Sequence, residues 1–459
     1  MQIEITKIID RQTRNKFQMI LMAWISVTMI IEGFDNQVQG YTAPAIIKAW
    51  HISKASFSPV FVAFQFGFML GVILLGNLGD IFGRRKMVIA GVLLFGVFTI
   101  AGAYTTDLTA MAATRFLAAV FLGGAIPNVI ALAVEYAPLR SRATRVGIMY
   151  VWYSLGAAAG GFLAAWIVPH FGWQAIYQVG GWCAIILVAL LFFVLPESAR
   201  FLVLKDPDQT KLTAIFAKLA PDTVIPPGAV FIAEQEKRTS ASVTALFTED
   251  RNLKTIPLWI ASFASMVGLQ FITSWMPTIF VDSQLGYKGA VIALGLFQGA
   301  GAFGNFVTGW VLDGKNGILL MSLIALIGAP VVFFFGSAVG ITFLLMVLVA
   351  MAGFCMVGSQ SGLNALSGVI YPTAIRSTGS GWCYGVGRIG AILGPILGGV
   401  LISLHLDLKQ IFLVVAAPPL CVGLALLALH WLRPNAVTES GGSAVSPELP
   451  LKDSWLPGK

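Results

Sequence analysis

The sequence predicts an all-α membrane protein of twelve transmembrane helices, arranged as two six-helix bundles related by pseudo-symmetry. Of its 459 residues, 57% are hydrophobic and only 11% are charged, whereas soluble domains carry about 25% charged residues. So few charges do not cover the surface of a water-soluble protein of this length. Long apolar segments recur along the chain, and a polar stretch divides them into two sets of six.

Residues in the first half recur in the second at an almost constant offset. Gly76 and Asp80, in a charged turn at 76–86, recur as Gly309 and Asp313, and both offsets (309 − 76 and 313 − 80) are 233. A second group recurs with an offset of 234: Pro138, Arg142, Thr144, Gly147, Gly156 and Gly160 return as Pro372, Arg376, Thr378, Gly381, Gly390 and Gly394. Each half therefore looks like a copy of one unit, and transporter folds are often built from such parallel repeats.

The apolar segments are long enough to cross a bilayer, which takes roughly 20 residues. The first half, 17–195, has candidate spans at 17–47, 57–78, 87–105, 109–134, 144–168 and 175–195. The second half, 254–432, has them at 254–280, 288–311, 316–336, 340–370, 376–403 and 409–432. A polar N-terminal tail (1–16), a linker (196–253) and a polar C-terminal tail (433–459), which we expect to be disordered, complete the chain.

Lysine and arginine counts predict the orientation in the membrane. The loops after the second and fourth segments carry six cations, and the opposite loops of that half carry only Lys48 and Lys54. The positive-inside rule therefore places both termini and the linker in the cytoplasm. It also explains the net charge of +8 better than nucleic-acid binding does.

Cysteine and histidine usage argues against a metal site and against an enzyme. The four cysteines lie in apolar runs without CxxC spacing. The four histidines are scattered, without metal-ligand or nucleophile spacing.

Several motifs resemble those of the major facilitator superfamily, and of its aromatic acid:proton symporter family in particular. They are Gly33-Phe34-Asp35 with Gly40 and Pro44 in the first segment; Arg115, Gly123–Asn128 and Glu135–Pro138 in the fourth; Ser274–Thr278 in the seventh; and Gln360, Asn364, Tyr371–Thr373, Ile375–Gly379 and Gly387–Gly390 in the tenth and eleventh. The resemblance covers about residues 20–430. It implies the major facilitator fold, and proton-coupled uptake of an aromatic carboxylate, such as a hydroxybenzoate, across the inner membrane.

Two positions depart from the family pattern. Glu32 stands where the family usually has aspartate, and Ile81 replaces a basic residue after Asp80. Because both carboxylates remain, the departures bear on which substrate is carried rather than on the mechanism. Another organic-anion carrier, for example for muconate or a sugar acid, and a non-transporting membrane sensor remain the alternatives. We expect no cofactor, with protons as the coupling ion, and a monomer among membrane lipids.

Three charged residues are candidates for proton coupling. Glu32 and Asp35 lie three residues apart inside the first segment, where we expect them to share one helix face. A charge at the centre of a membrane helix costs roughly 2.5–3.5 kcal/mol, so such residues persist where they bind a proton, a substrate or a partner. Arg115 lies at a depth in the fourth segment that permits contact with Asp35, and the resemblance implies a role for it in coupling. A structural ion pair is the competing interpretation.

Arg388 is the candidate partner of the substrate carboxylate. It lies about 12 residues into the eleventh segment, or roughly 18 Å deep, and no acidic residue stands nearby in that segment. A guanidinium binds a carboxylate through two hydrogen bonds; an ion pair with Asp35 or Glu32 is the alternative. We assign further side chains to the same site, although aromatic residues at helical spacing more often belong to a core: Gln360, Asn364, Asn128, Trp275, Trp382 and Tyr384.

Charged residues at the predicted cytoplasmic helix ends are candidates for gating. Asp80 is favoured near a helix N-terminus by the helix dipole, and we expect it to hold the start of the eleventh segment in one of two states. The alternative is that the cations only set the topology. The full set is Asp80, Arg84, Arg85, Glu135, Arg142, Asp313 and Arg376.

Overall fold

The computed structural model describes residues 2–11, 15–205, 210–219, 230–232, 242–248, 251–312, 314, 316–372 and 374–432. The C-terminal tail at 433–459 and Asp313 lie outside the described residues.

Twelve long helices account for most of the described chain. The first half contains α1 (Lys16–Ala49), α2 (Ser58–Leu74), α3 (Arg84–Gly102), α4 (Leu108–Glu135), α5 (Arg142–Phe171) and α6 (Trp173–Val194). The second half contains α7 (Asn252–Phe280), α8 (Gly286–Leu312), α9 (Gly317–Phe333), α10 (Thr342–Val369), α11 (Arg376–Ser403) and α12 (Leu408–Leu432, with a break at Ala416). In the described part of the chain, eleven spans are long and apolar enough to cross a membrane, with α2 counted together with its flanking short helices as Ala55–Phe82, and α9 is shorter at 17 residues. The ends of all twelve helices agree with the ends of the predicted segments to within a few residues. The largest difference is at the C-terminal end of α2, which was predicted at residue 78 and lies at Leu74.

Local sequence signals set where the helices begin and end. Asp107 caps α4, since its side chain accepts a hydrogen bond from the backbone N–H of Ala110 at 2.9 Å. Gly83 precedes α3 with a φ of 97°, a conformation that residues other than glycine rarely adopt. The short charged turn between α2 and α3 depends on that residue.

The two halves repeat the same contacts at equivalent positions. Arg142 Nε donates to the carbonyl of Ala137 at 3.3 Å, and Arg376 Nε donates to that of Tyr371 at 3.4 Å. Gly156 on α5 lies so close to α1 that an added Cβ would come within 2.1 Å of the carbonyl of Ile30. Gly390 on α11 approaches α7 in the same way, since an added Cβ would come within 2.4 Å of the carbonyl oxygen of Phe263. The repeat found in the sequence is therefore a repeat of packing geometry.

The buried apolar residues form three clusters, and their distribution shows how the halves meet. One cluster contains residues of both halves, from the ends of the helices opposite the linker; we call this side the far end. The second cluster contains only residues of the N-terminal tail, the first half and the linker, and the third contains only second-half residues and Leu246 with its neighbours. Both of these lie toward the linker end, where the linker and both termini are attached. Among the described residues, the halves thus share a core at the far end and have separate cores at the linker end.

The N-terminal tail and part of the linker are folded, which the sequence prediction of polar connecting segments did not include. Strands β1 (Gln2–Glu4) and β2 (Val230–Ile232) pair in parallel. Short helices occupy Ile5–Arg11, Ala199–Lys205 and Thr210–Leu219. Their apolar side chains, including Ile8 and Phe216, are buried in the cluster of the first half. These elements therefore extend the core of the first half.

Candidate functional site

A cavity of about 150 Å³ lies between the two halves. A cavity of about this volume accommodates one benzene ring. Five residues that the sequence analysis assigned to coupling or substrate binding line it: Glu32, Gln360, Asn364, Tyr384 and Arg388. The cavity therefore combines charged and polar groups from three helices that are distant in the sequence.

Arg388 is the positive charge of the cavity. Its guanidinium donates a short hydrogen bond to the hydroxyl of Tyr384, one helical turn earlier on α11. It also lies over two rings, 4.6 Å from the centroid of Tyr384 and 4.4 Å from that of Phe68 on α2. Within the described part of the chain, Arg388 Nε has no hydrogen-bond partner. Among the described residues no carboxylate lies within 4 Å of Arg388, so the cation is held by aromatic faces and a phenol.

Glu32 is the negative charge of the cavity. Its side chain is only 5% exposed, and one buried carboxylate oxygen, Oε2, has no hydrogen-bond partner among the described residues. Glu32 and Arg388 line the same cavity, and the ion pairs of the described residues include none between them. Tyr150 and Tyr153 of α5 line the same cavity. The cavity thus holds a separated pair of opposite charges with aromatic side chains around it.

Asp35 and Arg115 form a separate buried ion pair. Arg115 donates to Asp35 Oδ2 at 2.5 Å and to Oδ1 at 3.3 Å, and both side chains are completely buried. Thr99 of α3 contacts both partners at 3.3 Å. The Arg115 guanidinium also faces the rings of Phe64 (4.9 Å) and Tyr177 (5.4 Å). Neither Asp35 nor Arg115 lines the cavity.

The expectation that Glu32 and Asp35 act on one face is therefore corrected. An α-helix turns about 100° per residue, so side chains three residues apart point about 60° from each other. On α1 this angle is enough to direct Glu32 to the cavity and Asp35 to α3 and α4.

Three other residues assigned to the substrate lie outside the cavity. Trp275 is fully buried at the far end, where its indole N–H donates to the carbonyl of Pro395 at 3.0 Å. Trp382 is 45% exposed and stacks on Trp259. Asn128 donates to the carbonyls of Gly124 and Gly76 and so links α4 to the charged turn. Their large or polar side chains serve packing, and we remove them from the proposed substrate site.

The sequence analysis missed most of the polar lining. Seven side-chain amides face the cavity, of which only Gln360 and Asn364 had been singled out; the others are Asn36, Gln37, Gln270, Gln298 and Asn305. Phe68, Tyr150 and Tyr153 were also missed. Amides inside predicted membrane helices were a usable signal, because polar side chains in a bilayer usually face the bundle interior. The aromatic residues carried no such signal.

Polar contacts join the halves at the far end. Lys54, before α2, forms an ion pair with Asp282, after α7. Ser58 donates to the carbonyl of Pro395 at 3.1 Å, and Tyr287 donates to that of Tyr41 at 3.0 Å. Together with the shared apolar core, these contacts close the far end.

At the linker end, four of the predicted gating residues make polar contacts within the first half and with the start of the linker: Asp80, Arg84, Arg85 and Glu135. Arg84 contacts Asp80 at 3.1 Å and Glu135, the last residue of α4, at 2.5 Å. The backbone N–H of Arg85 donates to the carboxylate of Glu197 at 3.0 Å, and the guanidinium of Arg85 donates to the carbonyl of Phe192. Asp80 is 44% exposed and pairs within its own turn. Its expected contact with the start of α11 is not among the ion pairs of the described residues.

The sequence also matches known proteins along most of its length. Residues 25–366 match the sequence pattern of the Major Facilitator Superfamily. The chain belongs to this superfamily. A gallate transporter of Pseudomonas putida is 34% identical, with 93% of this chain and 95% of that protein covered. The 4-hydroxybenzoate transporter PcaK of Pseudomonas aeruginosa is 33% identical, with 91% and 93% covered. The chain thus groups with the aromatic acid transporters of the superfamily, which are carriers rather than enzymes.

Solved structures of the superfamily have the same fold. A D-xylose-proton symporter matches with a TM-score of 0.69 at 16% identity, over 90% of this chain and 97% of that one. A bacterial homologue of the lysosomal transporter Spinster matches with a TM-score of 0.63 at 14% identity, over 93% and 97%. The twelve-helix major facilitator fold predicted from the sequence is confirmed.

Proposed function

We propose that this protein takes up a single-ring aromatic carboxylate, such as a hydroxybenzoate, together with protons by alternating access. The observation that carries the proposal is a ring-sized cavity between the halves with Arg388 on its wall. Its volume of about 150 Å³ fits one aromatic ring. The names of the relatives, which are transporters of gallate and 4-hydroxybenzoate, support the same substrate class.

In this proposal the substrate carboxylate binds Arg388. No carboxylate of the described residues forms an ion pair with the guanidinium, and none of their acceptors takes the hydrogen on its Nε. A carboxylate forms two parallel hydrogen bonds with such a group. The rings of Phe68 and Tyr384, already in contact with Arg388, offer faces against which a substrate ring packs.

Glu32 is the proposed site of the coupling proton. It faces the cavity within electrostatic reach of Arg388, so an ionised Glu32 and a bound anion compete for one positive charge. Like charges close together repel, and the anion therefore binds best when Glu32 carries a proton. Proton and substrate are then loaded together, as symport requires.

Asp35 and Arg115 contribute to coupling indirectly in this scheme. Their ion pair is fully buried, and it joins α1 to α4 next to Glu32. Asp35 already has a cation, so a proton would have to displace Arg115 at a large energetic cost. We propose that the pair fixes the rotation of α1 and so keeps Glu32 facing the cavity.

We further propose that the linker end faces the cytoplasm across the inner membrane. The cations of the charged turn support this orientation under the positive-inside rule. With the far end closed and the cores separate at the linker end, the protein is then in an inward-facing state. Asp80, Arg84 and Glu135 are the proposed gating group, which rearranges when the linker end closes.

The energetics define the role of the proton. A negative-inside potential opposes entry of a monovalent anion by about 2.3 kcal/mol per 100 mV. One co-transported proton cancels that cost, and uptake is then driven by the pH gradient.

Uptake into proteoliposomes tests the proposal. Labelled 4-hydroxybenzoate should accumulate when an inward proton gradient is imposed and should stop accumulating when a protonophore is added. Glu32→Gln should still bind 4-hydroxybenzoate and exchange it across the membrane, but should lose gradient-driven accumulation. If muconate or a sugar acid accumulates and no aromatic acid does, the assignment of the substrate is overturned. Normal proton-driven accumulation by Glu32→Gln would overturn the assignment of the proton site.

A further inference from the structure

The cavity contains hydrogen-bond acceptors that have no donor. Among the residues that the structure describes, the buried amide oxygens of Asn305 and Gln360 have no hydrogen-bond partner, and neither has one oxygen of Glu32. Gln360 is 8% exposed and Glu32 is 5% exposed. Leaving such an acceptor unpaired after the cavity closes on a ligand lowers the affinity, so a good ligand brings the missing donors.

Each of the two amides is held with its oxygen available. Asn305, on α8, donates through its amide nitrogen to the hydroxyl of Ser154 on α5 at 3.2 Å. Gln360, on α10, donates through its nitrogen to the side-chain oxygen of Asn364 at 3.2 Å. In this arrangement the nitrogen of each amide is engaged by the protein, and the carbonyl oxygen is left for the ligand.

Two separate acceptors need two donors. A ring hydroxyl carries one hydrogen and donates one hydrogen bond. Because one hydroxyl cannot donate to both amide oxygens, Asn305 on α8 and Gln360 on α10 each require a hydroxyl of their own. When Glu32 is protonated, the oxygen that carries the proton acts as a donor, whereas the two amide oxygens remain acceptors in every state.

We infer that the preferred substrate carries at least two ring hydroxyl groups, one donating to Asn305 and the other to Gln360, with its carboxylate on Arg388. This inference rests on the proposed function and refines it, because a single-ring acid without hydroxyls would fill the same volume but leave both amide oxygens unpaired. A site that hydrogen-bonds a hydroxyl discriminates strongly against the analogue that lacks it. We expect about a tenfold change in Kd for each hydroxyl, which corresponds to about 1.4 kcal/mol.

Binding of a graded series of acids to the purified full-length protein tests the inference. The probes are benzoate, 4-hydroxybenzoate, 3,4-dihydroxybenzoate and 3,4,5-trihydroxybenzoate, measured by isothermal titration calorimetry. For the wild type we expect 3,4-dihydroxybenzoate to bind about 100-fold more tightly than benzoate. Gln360→Met and Asn305→Leu each remove one acceptor at similar volume, so each should reduce that ratio to about tenfold.

Gln270→Met is the matched control. Gln270 also lines the cavity, but its side-chain oxygen already accepts a hydrogen bond from the Thr273 hydroxyl at 2.9 Å. This change should shift the affinities of all four acids by a similar factor and leave their ratios intact. Two acceptor variants are used so that a folding failure in one leaves the other to decide.

The outcomes separate the inference from the proposed function. Equal affinity of the wild type for benzoate and 3,4-dihydroxybenzoate would overturn the inference and leave the proposed function standing. Unchanged ratios in both acceptor variants would overturn the assignment to Asn305 and Gln360. Absence of binding by all four acids would overturn the proposed function together with the inference.

Discussion

Asp35→Asn and Glu32→Gln each neutralise one carboxylate on α1, and we expect them to act on different properties. Asp35→Asn leaves the Arg115 charge fully buried without its counter-ion. Two unit charges 4 Å apart attract by about 4 kcal/mol at an effective dielectric constant near 20. Removing one partner of a buried ion pair typically costs about 3–5 kcal/mol. We therefore expect Asp35→Asn to lower the free energy of unfolding by about 4 kcal/mol.

Glu32→Gln removes no ion pair and keeps the shape of the side chain, so its expected cost is about 1 kcal/mol or less. The assay is denaturant-induced unfolding of the purified protein in detergent without substrate. The double variant Asp35→Asn with Arg115→Gln removes both charges and should recover most of the stability that the single change loses. Equal stability of Asp35→Asn and the wild type, or a double variant no more stable than Asp35→Asn, would refute the assignment of a structural ion pair.

Other predictions concern binding, gating and packing. Arg388→Lys keeps the charge but loses the paired geometry, so 4-hydroxybenzoate binding in calorimetry should weaken about tenfold or more, and Arg388→Ala should weaken it further; equal affinities would show that the carboxylate binds elsewhere. Asp80→Asn should slow uptake while leaving substrate affinity in detergent unchanged, and an unchanged uptake rate would leave the turn with a topological role only. Cysteines replacing Lys54 and Asp282, in a background without native cysteines, should be joined by a cleavable bis-thiol cross-linker that spans the length of the ion pair, and the cross-link should stop uptake until it is cleaved; uptake by the cross-linked protein would refute far-end opening. Gly156→Val should prevent normal folding or lower the melting temperature strongly, since its side chain meets the backbone of α1; a normal melting temperature would contradict the close approach.

Hydropathy and the internal repeat were sufficient to predict the twelve helices and their division into halves. Both signals are properties of whole segments, and a bilayer tolerates few alternatives to a helix. The N-terminal strand and the linker helices were not predicted. The N-terminal strand β1 pairs with β2 of the linker, and Ile3 lies opposite Phe231, more than 200 positions away in the sequence. A short apolar pattern without its partner is ambiguous.

The candidate site was predicted in part. Arg388, Glu32 and Gln360 were identified because charges and amides are rare in membrane helices, and Tyr384 was named as an aromatic side chain to flank a substrate ring; all four line one cavity. The different environments of Glu32 and Asp35 were not predictable, because a rotation of about 60° around a helix decides between them. Trp275 was misplaced for a similar reason: an aromatic side chain in a membrane helix fits a core and a binding site equally well.

The asymmetric distribution of the apolar cores has a consequence for measured affinities. To expose the cavity at the far end, the protein must break the shared core there, so the population of that state depends on residues such as Phe57 that never contact the substrate. An apparent dissociation constant equals the intrinsic one divided by the fraction of molecules able to bind. A substitution that loosens the far-end core should therefore tighten apparent binding from that side and weaken it from the other, with the cavity itself unchanged. Variation among relatives at such positions would let selection adjust the carrier to dilute or abundant substrate without altering what it recognises.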